Sequence, residues 1–288
     1  MLLKKYFYIA LIFIILPLSI FALLDASTFF LKFKSVTLHS EIEMFGAIIA
    51  ILAAILLSIK SDIHEKEYMF MSLTFISMSI LDGVHSFLKP GDAFVFSHTM
   101  ANVYGAIFAS MIWFEKIHSF VYNHKKAIIV ATFILSIITG LISFIEPWPL
   151  YLTMINQHIE DGINSAFSSL AIYLNIFSGI LFSFAAFYYY LQYTKMRNKE
   201  YLLFFVLLYL FAIAELIFQV SHLWSFEWWL WHILRMLSYI IVLIYLMYVL
   251  KKTIDVLRDT ISQNKTIQLQ LTEREKKFKN IFDNSSDG

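Results

Sequence analysis

Apolar residues run along this chain in stretches of about twenty, the length a helix needs to cross the hydrocarbon core of a bilayer. Such windows lie near 6–24, 39–59, 67–88, 96–114, 126–145, 167–191, 201–221 and 229–250. A segment in lipid must satisfy its own backbone polar groups, so each window predicts a helix. The expected fold class is all-α: a polytopic membrane helical bundle of about eight transmembrane helices, followed by a C-terminal cytoplasmic coiled-coil helix.

After Leu250 the pattern changes abruptly to charged and polar residues. Ile254, Leu257, Ile261, Asn264, Gln268 and Leu271 keep the three-four spacing of a coiled-coil seam. Asn264 and Gln268 interrupt its apolar line, and such polar positions fix register at a cost in stability. The division expected is a transmembrane domain over 1–250, a dimeric signalling helix over 251–277, and a last piece over 278–288. That last piece belongs to the stretch EREKKFKNIFDNSSDG, which resembles the opening of a PAS domain: a short amphipathic helix leading into an Asn-Ser-Ser-Asp-Gly turn. The natural chain is expected to continue into that domain.

Composition sharpens the class. Of 288 residues 59% are hydrophobic and only 15% charged, and the mean hydropathy is +0.70; a soluble domain could not keep that much apolar surface from water. A net charge of +1 argues against a nucleic-acid partner. With no cysteine, disulfides, thiolate metal sites and cysteine nucleophiles are excluded. The basic start, with Lys4 and Lys5, and the apolar run Tyr6–Leu24 resemble a signal peptide. The run is long for one, and no small-residue cleavage site follows, so a retained first span is expected.

Lys and Arg in the short connections set the orientation. One set of helix ends carries Lys4, Lys5, Lys60, Lys66, Lys116, Lys125, Lys126, Lys195, Arg197, Lys199, Lys251 and Lys252. The other carries Lys32, Lys34 and Lys89, with nothing basic in 146–165 or 222–228. Both termini are therefore expected in the cytoplasm. The 146–165 connection, with Glu146, Glu160 and Asp161, is expected to lie along the outer surface as a flap. Trp148, Tyr151, Trp224, Trp228, Trp229 and Trp231 suit an interfacial belt.

Depth then sorts the polar residues. His64, His118 and His124 fall in inner loops and His158 in the flap, where solvation accounts for them. The rest gather in the outer part of the spans: His39 and Glu43 one turn apart, Asp82 and His85 three apart, His98, and His232 with Arg235. Glu215, Gln219 and His222 recur at i, i+4 and i+7 as one stripe. Buried charges must pair, bind or face water, so a shared ligand site is expected among His39, Glu43, Asp82, His85, His98, Glu215, His222 and His232, with Gln219 and Arg235 as pairing residues. Interhelical ion pairs such as Glu215 with Arg235 are the plainer alternative. Imidazoles and carboxylates without thiolates suit a divalent metal such as zinc or copper(II), with Asp82 and Glu43 able to orient His85 and His39. Haem, a quinone or another small molecule are alternative occupants, in a membrane sensor or an electron carrier. No nucleophile elbow, phosphate loop or HExxH motif is present, and no gate at the inner side matches the outer cluster as a transporter would require.

Four segments carry a resemblance: His39-Ser-x-x-Glu43-x-Phe45, Leu81-Asp82-x-x-His85-Ser86, Ala214-Glu215-Leu216-x-Phe218, and His232 with a basic residue three later. In this order they resemble the third of the membrane-associated sensor (MASE-type) domain families, over roughly residues 36 to 250. One departure is the stretch Ala101–Phe114, which lacks the arginine and glutamate that the family tends to carry there. The resemblance implies an input module in a bacterial cytoplasmic (inner) membrane. Its output domain would most often be a histidine kinase acting on a response regulator, less often a diguanylate cyclase. Ile254, Leu257, Ile261, Asn264 and Leu271 would then transmit the signal in a homodimer.

Overall fold

A computed structural model describes residues 33–63, 66–145, 153–155 and 167–285. The expected span at 6–24, His64, and most of the 146–165 connection (with Glu146, Trp148, Tyr151, His158, Glu160 and Asp161) lie outside the described residues, as do positions 286–288. Among the described residues the fold is helical, with one isolated bridge between Ile155 and Phe167 and no strand. The helices are α1 (Val36–Ile63), α2 (Lys66–Phe87), α3 (Asp92–Ser110), α4 (Glu115–Asn123), α5 (Lys125–Ile142), α6 (Ser169–Met196), α7 (Lys199–Phe218) and α8 (Phe226–Ser285).

Six of them, α1, α2, α5, α6, α7 and α8, are long and apolar enough to cross a membrane, consistent with a membrane protein. The window at 96–114 corresponds to α3, which is not in that set, because Asp92, His98, Thr99 and Asn102 dilute its apolar residues. It ends at Ser110, passes through a 3₁₀ turn at Met111–Trp113, and gives way to the short amphipathic α4.

Helices in lipid gain little from burying apolar surface against one another, so close approach decides their packing. The buried face of α1 is accordingly a ladder of small residues, Ala47, Ala50, Ala53 and Ala54, set against α2. Ser72 of α2 donates to the carbonyl of Ala54 across that contact at 2.8 Å. The opposite face of α1 presents Phe45, Ile48, Leu52, Ile55 and Ile59 outward. Central α2 adjoins α1, α3 and α5 and is the most enclosed of the spans. Where α3 crosses α2, a methyl group at Gly105 would meet Met78 Sδ at 2.5 Å, so any larger residue there would force Met78 to move.

Local signals account for several helix ends. The Ser168 hydroxyl accepts from the Ala171 amide and the Asn198 side chain from the Glu200 amide, capping α6 and α7. Arg197, with φ 56°, closes α6 in the left-handed region. An ion pair between Lys60 and Glu200 joins the end of α1 to the start of α7.

The chain divides into two units at Leu243 and Ile244. In the second unit α8 continues as regular helix, and every described side chain from Lys251 to Ile281 is exposed, Ile254, Leu257, Ile261, Asn264 and Leu271 among them.

Candidate metal centre

His39 lies one turn into α1, and Glu43 follows one turn later on the same face. His85 lies in the last turn of α2, and His232 sits in the second turn of α8. Three helices thus deliver three imidazoles to one point. His39 Nε2 lies 3.1 Å from His232 Nε2 and 3.3 Å from His85 Nε2, and His232 Nε2 lies 3.2 Å from Glu43 Oε1. One donor atom from each of the four residues falls within 4.8 Å of the others, and all four side chains are buried.

Chemistry sets the tautomers of two rings. His85 Nδ1 lies 2.6 Å from the Phe94 carbonyl, and His232 Nδ1 lies 2.6 Å from the Trp228 carbonyl. A carbonyl oxygen only accepts, so both Nδ1 atoms carry hydrogen and donate. The Nε2 lone pairs of the neutral rings are then left facing His39, whose one Nε2 can supply a hydrogen to only one of them at a time. This is how metal-ligating histidines are held, with the far nitrogen fixed by a backbone carbonyl. The separations are comparable with the edge of about 3.3–3.4 Å between nitrogens that are each about 2.0–2.1 Å from one tetrahedral ion.

Aromatic rings enclose the cluster. The Trp231 ring stacks on His232 with centroids 3.6 Å apart, and Trp228 approaches the same imidazole at 3.9 Å. Phe94 lies 4.0 Å from His85 and 5.0 Å from His39. The expected interfacial belt is corrected for three of its members. Trp224, Trp228 and Trp231 are buried, because the α7–α8 turn folds Trp224 inward over the histidines and α8 presents Trp228, Trp231 and His232 on one face. Trp224 adopts φ 68°, an outlier for a bulky residue, while its carbonyl accepts from the Phe33 amide.

A second polar layer adjoins the first. Arg235, one turn beyond His232, forms a buried ion pair with Asp82 and donates to the His98 ring at 2.9 Å. Its Nε donates to the Tyr239 hydroxyl at 3.2 Å. Asn102 links His98 to Asn175, which donates to Thr99 and to the Ala171 carbonyl. Glu43 belongs to both layers, since Glu43, Asp82 and His98 also lie within 4.8 Å of one another.

The eight residues expected to share a site therefore separate. His39, Glu43, His85 and His232 converge. Asp82 and His98 belong to the arginine layer, where a guanidinium beside His98 opposes any cation. Asp82 does not orient His85; the Phe94 carbonyl does. Arg235 pairs with Asp82 rather than with Glu215. Glu215 is buried beside α6 but lies outside both four- and three-residue groups. The stripe Glu215, Gln219, His222 breaks because α7 stops at Phe218. There the Val220 and Ser221 amides tighten the last turn, and the Ser221 hydroxyl donates to the Phe218 carbonyl, leaving His222 exposed. His118, expected to be solvated, is half-buried and bonds the Ile112 carbonyl. Phe94, Trp228, Trp231, Tyr239, Asn102 and Asn175 are additions; the spacing of Trp228 to His232 and Arg235 to Tyr239, four residues each, is the signal that exposes two of them.

No family model, curated protein or solved structure matches this chain.

Proposed function

We propose that this chain is the sensory input domain of a bacterial signalling receptor in the cytoplasmic membrane. In this reading a divalent metal ion arriving from outside binds His39, Glu43, His85 and His232, and occupancy is passed along α8 to a cytoplasmic output domain such as a histidine kinase. The observation that carries the reading is the convergence of three Nε2 atoms and Glu43 Oε1, with two of the rings oriented by backbone carbonyls. The Nε2 lone pairs of His85 and His232 both face His39 Nε2 in a dry interior, where one hydrogen there can meet only one of them, and zinc or copper(II) has the affinity for imidazole to meet both.

Haem fits this arrangement less well. Two axial histidines must stand on opposite faces of a macrocycle, whereas these three nitrogens meet at one point and indole rings fill the surroundings. A quinone would need an open slot that the same rings occupy.

The connection to output is physical. α8 carries both His232 and the 251–281 stretch, and the seam Ile254, Leu257, Ile261, Asn264 and Leu271 is exposed as a surface for a second copy. A ligand biases such a module only by its differential affinity for the two arrangements. The test uses the absence of native cysteine: Ile261→Cys introduces the chain's one thiol. In membranes, the rate at which that thiol forms a disulfide between two copies is expected to change severalfold on adding Zn²⁺. The change should vanish when His85→Ala is added. A rate indifferent to zinc would contradict metal-driven signalling.

A further inference from the structure

The buried charges around the centre do not balance. Among the described residues, the interior of the bundle holds three carboxylates, Glu43, Asp82 and Glu215, against one guanidinium, Arg235. A fourth buried carboxylate, Glu227, lies in the first turn of α8, where the free backbone N–H groups of a helix start suit an anion. Asp82 is paired with Arg235. Among the described residues, Glu43 and Glu215 have no cation of their own.

Glu215 is the less expected of the two. Its Oε2 is buried and makes no hydrogen bond among the described residues. Its place is made by Gly179 of α6: a methyl group there would stand 3.2 Å from Glu215 Cβ. Asn102 reaches toward it, but the Asn102 amide group is already engaged with His98 and with Asn175 Oδ1, and a neutral amide adds no positive charge. An uncompensated carboxylate in a membrane interior is costly, and such residues mark charge that something else must meet.

We infer that the centre is matched by charge to a doubly charged ion, with Glu215 acting as a remote counter-charge that never touches the metal. The inference rests on the metal reading above. With a cation bound, which favours the ionised carboxylates, these three against one guanidinium leave two negative charges, and neutral imidazoles add none, so one divalent ion makes that set neutral. A singly charged ion such as copper(I) or silver(I) leaves a negative charge uncompensated. Glu43 supplies one of the two charges by contact; Glu215 supplies the other through a medium of low polarisability, where Coulomb attraction acts at longer range than in water. Glu215 is a positioning charge, not a ligand.

Cobalt(II) is the probe, since its visible spectrum reports its ligands. Titrated into the whole chain in detergent, Co²⁺ should bind with one equivalent per chain. Glu215→Gln should weaken that binding about tenfold or more while leaving the spectrum of the loaded protein unchanged, because no ligand has been removed. Glu215→Asp keeps the charge and should restore affinity to near the original. Silver(I), tested on the unaltered chain so that folding of a variant is not at issue, should fail to displace Co²⁺ at tenfold excess. Unchanged affinity in Glu215→Gln, a changed spectrum, or displacement by that excess of silver would overturn the charge match and leave the metal reading standing. No Co²⁺ binding by the unaltered chain would instead overturn the metal reading itself.

Discussion

Arg235 illustrates how one side chain sorts its neighbours. A guanidinium keeps its charge in any protein environment, so its burial obliges a carboxylate to stay beside it. Asp82 answers that need, and His98 accepts from the same guanidinium. The two are thereby withdrawn from the centre that His85 and His39 form a few ångströms away. Asp82→Asn, which leaves the charge of Arg235 unpaired, should cost about 3–5 kcal/mol of stability. Neutralising both sides, as Asp82→Leu with Arg235→Met, should recover most of that loss. Denaturant unfolding of the variants in one detergent checks the pair; equal losses from the single and the double change would show that the ion pair is not what holds the two helices. The residue types were legible in the sequence, because apolar windows interrupted by His, Asp and Glu are rare. Which of them converge was not. His98 and His232 stand at the same level, and they differ because His232 points toward α1 while His98 faces the arginine on α8.

Among the elements, the contact of α5 with α2 depends on glycine at a single crossing. A methyl group at Gly140 would lie 2.8 Å from Val84 Cγ2, on a β-branched side chain that is stiff at χ1 in a helix, whereas one at Gly83 would meet nothing nearer than 3.9 Å. Gly140→Ala should therefore destabilise by about 1–3 kcal/mol, and Gly83→Ala should be neutral or stabilising by up to about 1 kcal/mol. Thermal melts in the same micelle compare them directly. Positions and lengths of α1, α2, α5, α6 and α7 follow the apolar windows to within a few residues, since a long uninterrupted apolar run leaves few other choices. The sequence was less informative where polarity and helix disagree. α3 carries enough polar side chains to fall short of a span by composition, yet most of it is buried among other helices. The tryptophans misled in the opposite way: their chemistry suits an interface, but the turn before α8 directs Trp224 inward and the first turns of α8 do the same for Trp228 and Trp231.

At the scale of the whole molecule, helices that start or end at one level of the bundle build a small centre of nitrogen and oxygen donors, roofed by indole rings. One of those helices runs on as a 60-residue element. The centre joins side chains of α1, α2 and α8. In the proposed function a divalent ion binds at His39, Glu43, His85 and His232. Elemental analysis of the whole chain, purified without chelators, supplied with Zn²⁺ and freed of excess, tests it most directly. One zinc per chain is expected, and near zero for the folded His85→Ala variant. Equal zinc in both proteins, or none in either, would contradict it.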